Sequence, residues 1–380
     1  MKILLPFRFK LATFGGVSSF NNALYRYISK KNAICDLTLK EDNEYNIENR
    51  KGIFYQIKRK STIIYDLIFF SFAKNKHKFD LVHLSPSLGR SAIVRDSFYA
   101  KKCIAHNIPF VVFFHGWDKK YEKKIEKNEY NHKIRNIFGR ASAIWVLCSE
   151  FKRKLMDWGF DKDKIIVETT MVDDVLLHNF DIKSKTKNIK NADNMNILFI
   201  SRIIIEKGIY EAVNAFKILT EQHDNITFTI AGDGPELNNL KDYVKNKKIS
   251  GIKFIGFISG QNKIDLLTKS HILFFPSYHN EGMPIAVLEA MAFGMPVITR
   301  KVAGLNDFFE HNKMGYYTDS LNPQIFADFL KNLLSSREQL ISMAIYNYNY
   351  AQKKLLASQV VKRIENVFEQ VLLRHNDGLF

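Results

Sequence analysis

The 380-residue chain is poor in cysteine and in long apolar runs. Its three cysteines, Cys35, Cys103 and Cys148, are scattered without a CxxC spacing. That excludes a disulfide framework or a zinc ribbon and fits a reducing compartment. The longest apolar stretch, IIYDLIFFSF (63–72), has about half the ~20 residues a membrane span needs and contains Asp66. MKILLPFRFK offers only a short apolar run before Arg8 and Lys10, unlike a secretory signal. A cytoplasmic location is expected. Repeats are absent, and low complexity is confined to IYNYNYA (345–351).

What the chain has in quantity is apolar residues (46%), aromatics (13%) and positive charge (+17). The first two exclude disorder, and the length predicts about two domains. The charge is lopsided: residues 1–190 hold 36 Lys and Arg against 20 Asp and Glu, residues 191–380 hold 20 against 19. A surplus confined to one half implies an anionic partner such as nucleic acid, anionic lipid or a phosphorylated substrate. Aromatic–basic stacking motifs are missing, so nucleic acid is not expected.

Short apolar strands alternate with helical segments, which predicts a parallel α/β architecture. In the first half the expected strands are 2–5, 53–57, 80–84, 109–114, 143–147 and 164–168. In the second they are 196–201, 226–232, 252–256, 272–276 and 296–299. The polar, Lys- and Asn-rich stretch between the sets reads as a linker. The resulting organisation is 1–178, a linker at 179–195, 196–345, and C-terminal helices at 346–380 crossing back to the first domain. Two Rossmann-like, doubly wound parallel-sheet domains would face each other across a cleft, with ligands at the carboxyl ends of strands.

Five segments sit where such ligands bind. EGMPIAVLEAMAFGMP (281–296) places Glu281 ahead of a helix and Glu289 inside its apolar run. Burying a lone carboxylate costs several kcal/mol, so Glu289 needs a partner or a polar cleft. Eight residues span roughly 12 Å. The amides of Gly282, Met283 and Ile285 lie between the acids at the positive end of the helix, with Pro284 in its first turn. Carboxylate, anion site, carboxylate matches the sugar, diphosphate and ribose of a nucleotide sugar; a solvated loop residue with a local ion pair is the alternative. SRIIIEKG (201–208) sets Arg202 and Lys207 beyond a strand tip, suited to a diphosphate. AGDGPE (231–236) is a Gly-rich turn at Gly232 and Gly234. FGGV (14–17) brings Gly15 and Gly16 to a helix start, and FHG (114–116) puts His115 at a strand end. The pair Asp161 and Asp163 reads as a solvated turn rather than a metal site.

In order and spacing these segments, together with IGF (255–257), FPSYHNEGMPIAVLEAMAFGMPVI (275–298) and VAGLNDFF (302–309), resemble the retaining glycosyltransferases of family four, with their GT-B fold and E-x7-E motif. The resemblance implies that Glu281 contacts the donor sugar near its reacting carbon and that Glu289 binds ribose. Arg202 and Lys207 would stabilise the leaving diphosphate, which Gly16 approaches. His115 would hold a donor-sugar hydroxyl, and Phe257 and Ile258 would lie by the base. Met171–Asp174 lacks the family's usual turn and receives no role.

The implied reaction moves a sugar, hexosyl or N-acetylhexosaminyl, from a UDP- or GDP-linked donor, UDP being the commoner. The implied acceptor is a glycan, often polyprenyl-linked, in surface polysaccharide or lipopolysaccharide assembly. No cofactor and no obligatory metal is expected. The Lys-rich stretch 117–135 suggests peripheral docking on the cytoplasmic face of an anionic inner membrane. The competing readings are a sugar-nucleotide epimerase of the same fold and a non-catalytic basic binding protein.

Overall fold

A computed structural model describes residues 1–6, 16–36, 79–127, 130–279 and 282–378. The chain forms two compact units, Met1–Thr170 with Val360–Phe380, and Met171–Gln359.

The first unit is built on strands β1 (Lys2–Leu5), β2 (Ala33–Asp36), β3 (Leu81–Leu84), β5 (Phe110–Phe114), β7 (Ala143–Val146) and β8 (Ile165–Val167), with a short pair β4 (Ser87–Leu88) and β6 (Gly116–Trp117) beside them. The main sheet has the order β2-β1-β3-β5-β7-β8, and every pairing is parallel. Strands covered on both faces cannot alternate in polarity, and all five residues of Phe110–Phe114 are buried. The second unit contains β9 (Met195–Ile200), β10 (Ile226–Ala231), β11 (Ile252–Gly256), β12 (Ile272–Phe275), β13 (Val297–Arg300) and β14 (Gly315–Thr318). Its parallel order, β11-β10-β9-β12-β13-β14, reverses between β9 and β12. That reversal opens a crevice at the carboxyl ends of these two strands, where doubly wound sheets bind ligands.

Three expectations are corrected. Ala33–Asp36 and Gly315–Thr318 are strands that the hydropathy pattern did not single out; the proposed strand 53–57 lies outside the described residues. The proposed linker 179–195 contains a helix, Ile182–Asn191, capped by Asp181, which accepts from the amides of Lys183 (3.1 Å) and Ser184 (2.8 Å). It looks polar because one of its inward residues is a lysine. Lys185 is 3% exposed and its ammonium donates to the carbonyls of Leu267 (3.2 Å), Thr268 (2.8 Å) and Ser270 at the end of helix Gly260–Lys269. A cation is the natural group to close the negative end of a helix.

The third correction concerns the boundaries. The second unit begins at Met171 rather than after residue 178, and residues 346–354 continue the helix Arg337–Lys354 within it. The chain re-enters the first unit at Val360, inside helix Ala357–Asn376. There Arg363 forms a bidentate pair with Glu168 (2.7 and 2.8 Å), and Glu365 accepts from Ser29 and Asn32. Phe368 packs edge-on against Trp145 and His83.

His83 is fully buried in this cluster, and burial pushes its imidazole down to about 3. An unfolded histidine titrates near 6.5. Between those values the unfolded chain binds the extra proton, so stability is complete above about pH 6.5 and is lost as pH falls. His83→Phe should flatten this acid limb by up to about 1.4 kcal/mol per pH unit relative to the parent. Urea midpoints from pH 7 to 4.5 measure it, and parallel curves for the two proteins would disprove it.

Candidate functional site

The three loops that follow β9, β10 and β11 are knitted together by the backbone. Ile203 donates its amide to Asp233 O (2.9 Å), Glu236 N–H bonds Ile203 O (3.2 Å), and Gly232 N–H bonds Gly256 O (2.7 Å). Such closeness demands glycine. A Cβ at Gly232, where φ is 144°, would lie 1.8 Å from Ser201 O, and one at Gly234 would lie 2.2 Å from Ile203 O. The AGDGPE turn is therefore a seam between strand ends.

Around the seam is a cavity of about 590 Å³ lined by Arg202, Gly232, Phe257, Ile258, Ile285 and Glu289, among others. Its far wall is the start of helix Ile285–Ala292. Pro284 occupies the N-cap and no side chain caps the helix, so its opening amides and the positive end of its dipole are left for a ligand. Phe257, 62% exposed, forms part of the rim.

Glu289 resolves the question posed by its apolar surroundings in both ways. It is only 6% exposed, lines the cavity, and pairs with Lys263 at 2.7 Å. Lys263 belongs to helix Gly260–Lys269, which follows β11, and it also lines the cavity. Sequence reasoning missed it. The available signal was its position in the first turn of the helix after a strand, the same row of strand ends that supplies Arg202 and Glu289.

Lys207 lies deeper. The turn Ile205–Lys207 is held to the segment after β12 because Glu206 O accepts from Tyr278 N–H and His279 N–H, both at 2.9 Å. Gly208, at φ 73°, passes so close to Pro276 that a Cβ would stand 2.3 Å from its carbonyl. The Lys207 ammonium is 5.5 Å from the centre of the Phe275 ring, and burial lowers it to about 8. Arg202 and Lys207 thus follow β9 in sequence, and the second is anchored at the end of β12, the two strands that flank the reversal.

Not every expected residue joins this cavity. Gly282, Met283 and Pro284 are absent from its wall: Gly282 O accepts from Gly304 N–H (2.9 Å), and Met283 is buried against Gly304. Glu281 lies outside the described residues. Gly16, in the first unit, is the exposed first residue of helix Gly16–Tyr27. His115 stacks on Phe113 (4.1 Å) and lies 4.3 Å from the Phe20 ring; its Nε2 is buried with no hydrogen-bond partner among the described residues. Burial, and then neighbouring His83, hold it well below the usual imidazole value, so it is neutral at pH 7. A neutral ring can hold a hydroxyl but does not bring a positive charge. Asp161 accepts from Asp163 N–H (3.0 Å) in a short 3-10 turn, and among the described residues no group of three or more His, Cys, Asp or Glu is placed to hold a metal ion.

Two family models match successive parts of the chain: Glycosyltransferase Family 4 over residues 15–174 and Glycosyl transferases group 1 over residues 180–350. The chain belongs to the GT-B glycosyltransferases of group 1 and family 4. Among curated relatives, the chain is similar to the amylovoran biosynthesis glycosyltransferase AmsK of Erwinia amylovora, 25% identical over 62% of the chain and 57% of AmsK. It is also similar to the putative colanic acid biosynthesis glycosyltransferase WcaL of Escherichia coli, 24% identical over 68% of the chain and 61% of WcaL. The chain thus matches about six-tenths of the length of these relatives. The fold is that of Anabaena Alr3699/HepE in complex with UDP (TM-score 0.71, 15% identity, 97% and 99% of the two chains). It is equally that of sucrose-phosphate synthase from Thermosynechococcus elongatus (TM-score 0.71, 14% identity, 98% and 99%). No helix among the described residues is long and apolar enough to cross a membrane.

The two partners of the Glu289–Lys263 pair differ in exposure, 8% and 25% at the side chain, and so should differ in the cost of loss. Lys263→Met strands a buried carboxylate and should destabilise the second unit by about 1–3 kcal/mol, less than a fully buried pair because Lys263 keeps some water. Glu289→Gln should cost less, and Lys263→Met with Glu289→Leu together should recover much of the loss. Urea unfolding of the four proteins tests this; equal costs for both single variants would contradict it.

Proposed function

We propose that this chain is a retaining glycosyltransferase that moves a hexosyl or N-acetylhexosaminyl group from a UDP-sugar to a glycan acceptor in surface-polysaccharide assembly. The observation that carries the reading is the cavity at the strand-order reversal. It combines an uncapped helix start, the cation Arg202, and a carboxylate, Glu289, steadied by Lys263. A diphosphate fits the first two, and a vicinal diol of ribose fits a carboxylate that accepts two hydrogen bonds. Phe257 offers the base an exposed ring at the rim. The UDP and UDP-glucose of the Alr3699/HepE complexes, and the polysaccharide products named for AmsK and WcaL, support donor and pathway class.

In the reaction the bond between the anomeric carbon and the diphosphate oxygen breaks, and the nucleoside diphosphate takes the electron pair. The acceptor oxygen bonds that carbon and passes its proton to the departing diphosphate oxygen. Negative charge grows on the diphosphate; Arg202 and the helix dipole at the cavity would stabilise it, and Lys207, farther along the loop after β9, would add its charge, preorganised charge of this kind being worth several kcal/mol. Those cations can do the work of a divalent ion, so turnover in excess EDTA is the expected result. Glu281, Gly16 and His115 take the roles that family resemblance implies: donor sugar, diphosphate and sugar hydroxyl. The acceptor is assigned as polyprenyl-linked, with the enzyme at the cytoplasmic membrane face.

Glu289→Ala should weaken UDP binding at least ten-fold by calorimetry. Arg202→Ala should mainly lower the rate of donor consumption; unchanged binding and rate in both variants would refute the site. Lys207 adds a pH signature. With its ammonium near 8, the charge on which diphosphate binding depends is present below that pH and lost above it. UDP affinity should fall from pH 7.5 to 9.5, and Lys207→Arg, which stays charged, should remove the fall. A slope that persists in the arginine variant would count against Lys207 as its source.

A further inference from the structure

The first unit has a second cavity, of about 630 Å³, walled by helices Arg90–Ala105, Lys119–Lys127 and Asn131–Phe138. Its floor is aliphatic: Ile93, Ile125 and Ile134 are at most 5% exposed. Its mouth leaves apolar surface in water, with Val94 66% and Tyr130 48% exposed. Among the described lining residues stand four cations, Arg90, Lys120, Lys124 and Lys133, and one acid, Asp118. That acid is occupied as a helix cap, accepting from the amides of Lys120 (2.8 Å) and Tyr121 (3.2 Å).

The separation of charge is built into helix Lys119–Lys127. Lys120 and Lys124 lie one turn apart on the cavity side. Glu122 and Glu126, about 200° round the helix, pair with Lys154 at 3.4 and 3.0 Å. The helix therefore spends its acids on packing and turns its bases toward an aliphatic pocket. Branched aliphatic floor with a cationic rim is complementary to one molecule that is apolar at one end and phosphorylated at the other. A nucleic acid would need a run of stacking rings along a basic track, whereas the two rings here, Tyr121 and Tyr130, flank a floor of branched aliphatic side chains.

We propose that this cavity binds the phosphate and first isoprene units of a prenyl-phosphate lipid, the carrier of the glycan acceptor. Isoprene methyls pack on Ile93, Val94, Ile125 and Ile134, and the phosphate meets Arg90, Lys120, Lys124 and Lys133. The assignment rests on the acceptor reading above and deepens it by placing the lipid end of the acceptor in a pocket of its own.

Calorimetry on the intact chain tests it with farnesyl phosphate below its micelle concentration, and with farnesol, inorganic phosphate and phosphatidylglycerol vesicles. Farnesyl phosphate should bind at least ten-fold tighter than farnesol or inorganic phosphate. The exposed-site variants Val94→Asp and Lys120→Glu with Lys133→Glu should each weaken it ten-fold or more, while UDP binding stays at the parent value. Binding to vesicles without binding to monomeric farnesyl phosphate would overturn the pocket in favour of surface docking. Farnesyl phosphate affinity unaltered in both variants would overturn it as well. UDP titration in the same proteins reads the donor site separately, so a parent chain that binds farnesyl phosphate but not UDP would sink the donor reading and leave this one standing.

Discussion

A sheet in which all strands run one way gathers every strand's carboxyl end at the same edge. In the second unit that edge carries Arg202 after β9, the Gly232–Gly234 turn after β10, Lys263 after β11 and helix Ile285–Ala292 after β12. Residues 87 positions apart in sequence meet in one cavity because the topology leaves them no other place. The reversal of strand order between β9 and β12 then decides where along the edge the loops diverge enough to admit a ligand.

Within that frame the glycines and the buried ion pair do complementary work. Gly232, Gly234 and Gly208 let backbones approach to distances at which a Cβ would overlap a carbonyl, so the loops form a rigid rim. Rigidity matters because electrostatic stabilisation is strongest where charges need not reorganise. Lys263 holds Glu289 at the cavity wall, and Lys185, bonded to the carbonyls that end helix Gly260–Lys269, steadies the helix on which Lys263 rides. A lysine buried some distance from the cavity thereby helps position one that lines it.

How far the sequence foretold this depends on the range of the interaction. Long apolar strands such as FVVFF and ITFTIA, the glycine turn and the apolar helix with its acid are local patterns, and a reader of the chain finds them. AICD and GYYT are strands at the ends of their sheets, each paired along one side only, and in GYYT the last two residues are only half-buried, which weakens the hydropathy signal. Ile182–Asn191 was hidden because its inward lysine is satisfied by three carbonyls 82 or more positions away. Lys263 was hidden for the same reason: its partner is 26 residues distant, on another helix. Periodicity reports which face is wet, and it misreads a face made dry by hydrogen bonding.

The distribution of charge shows the same limit from another side. The second half is almost neutral, with 20 basic residues against 19 acidic, and its cavity is lined by two cations, Arg202 and Lys263, and two acids, Asp233 and Glu289. Placement distinguishes it: the dipole of helix Ile285–Ala292 opens onto the space that Arg202, Asp233 and the Lys263–Glu289 pair also line. The first half holds the surplus, and part of it is consumed locally, as Lys119 pairs with Glu150 and Lys154 with Glu122 and Glu126. On the cavity side of helix Lys119–Lys127, Lys120 and Lys124 stand beside aliphatic surface. Net charge therefore locates a partner's sign, and the geometry of paired residues locates the partner.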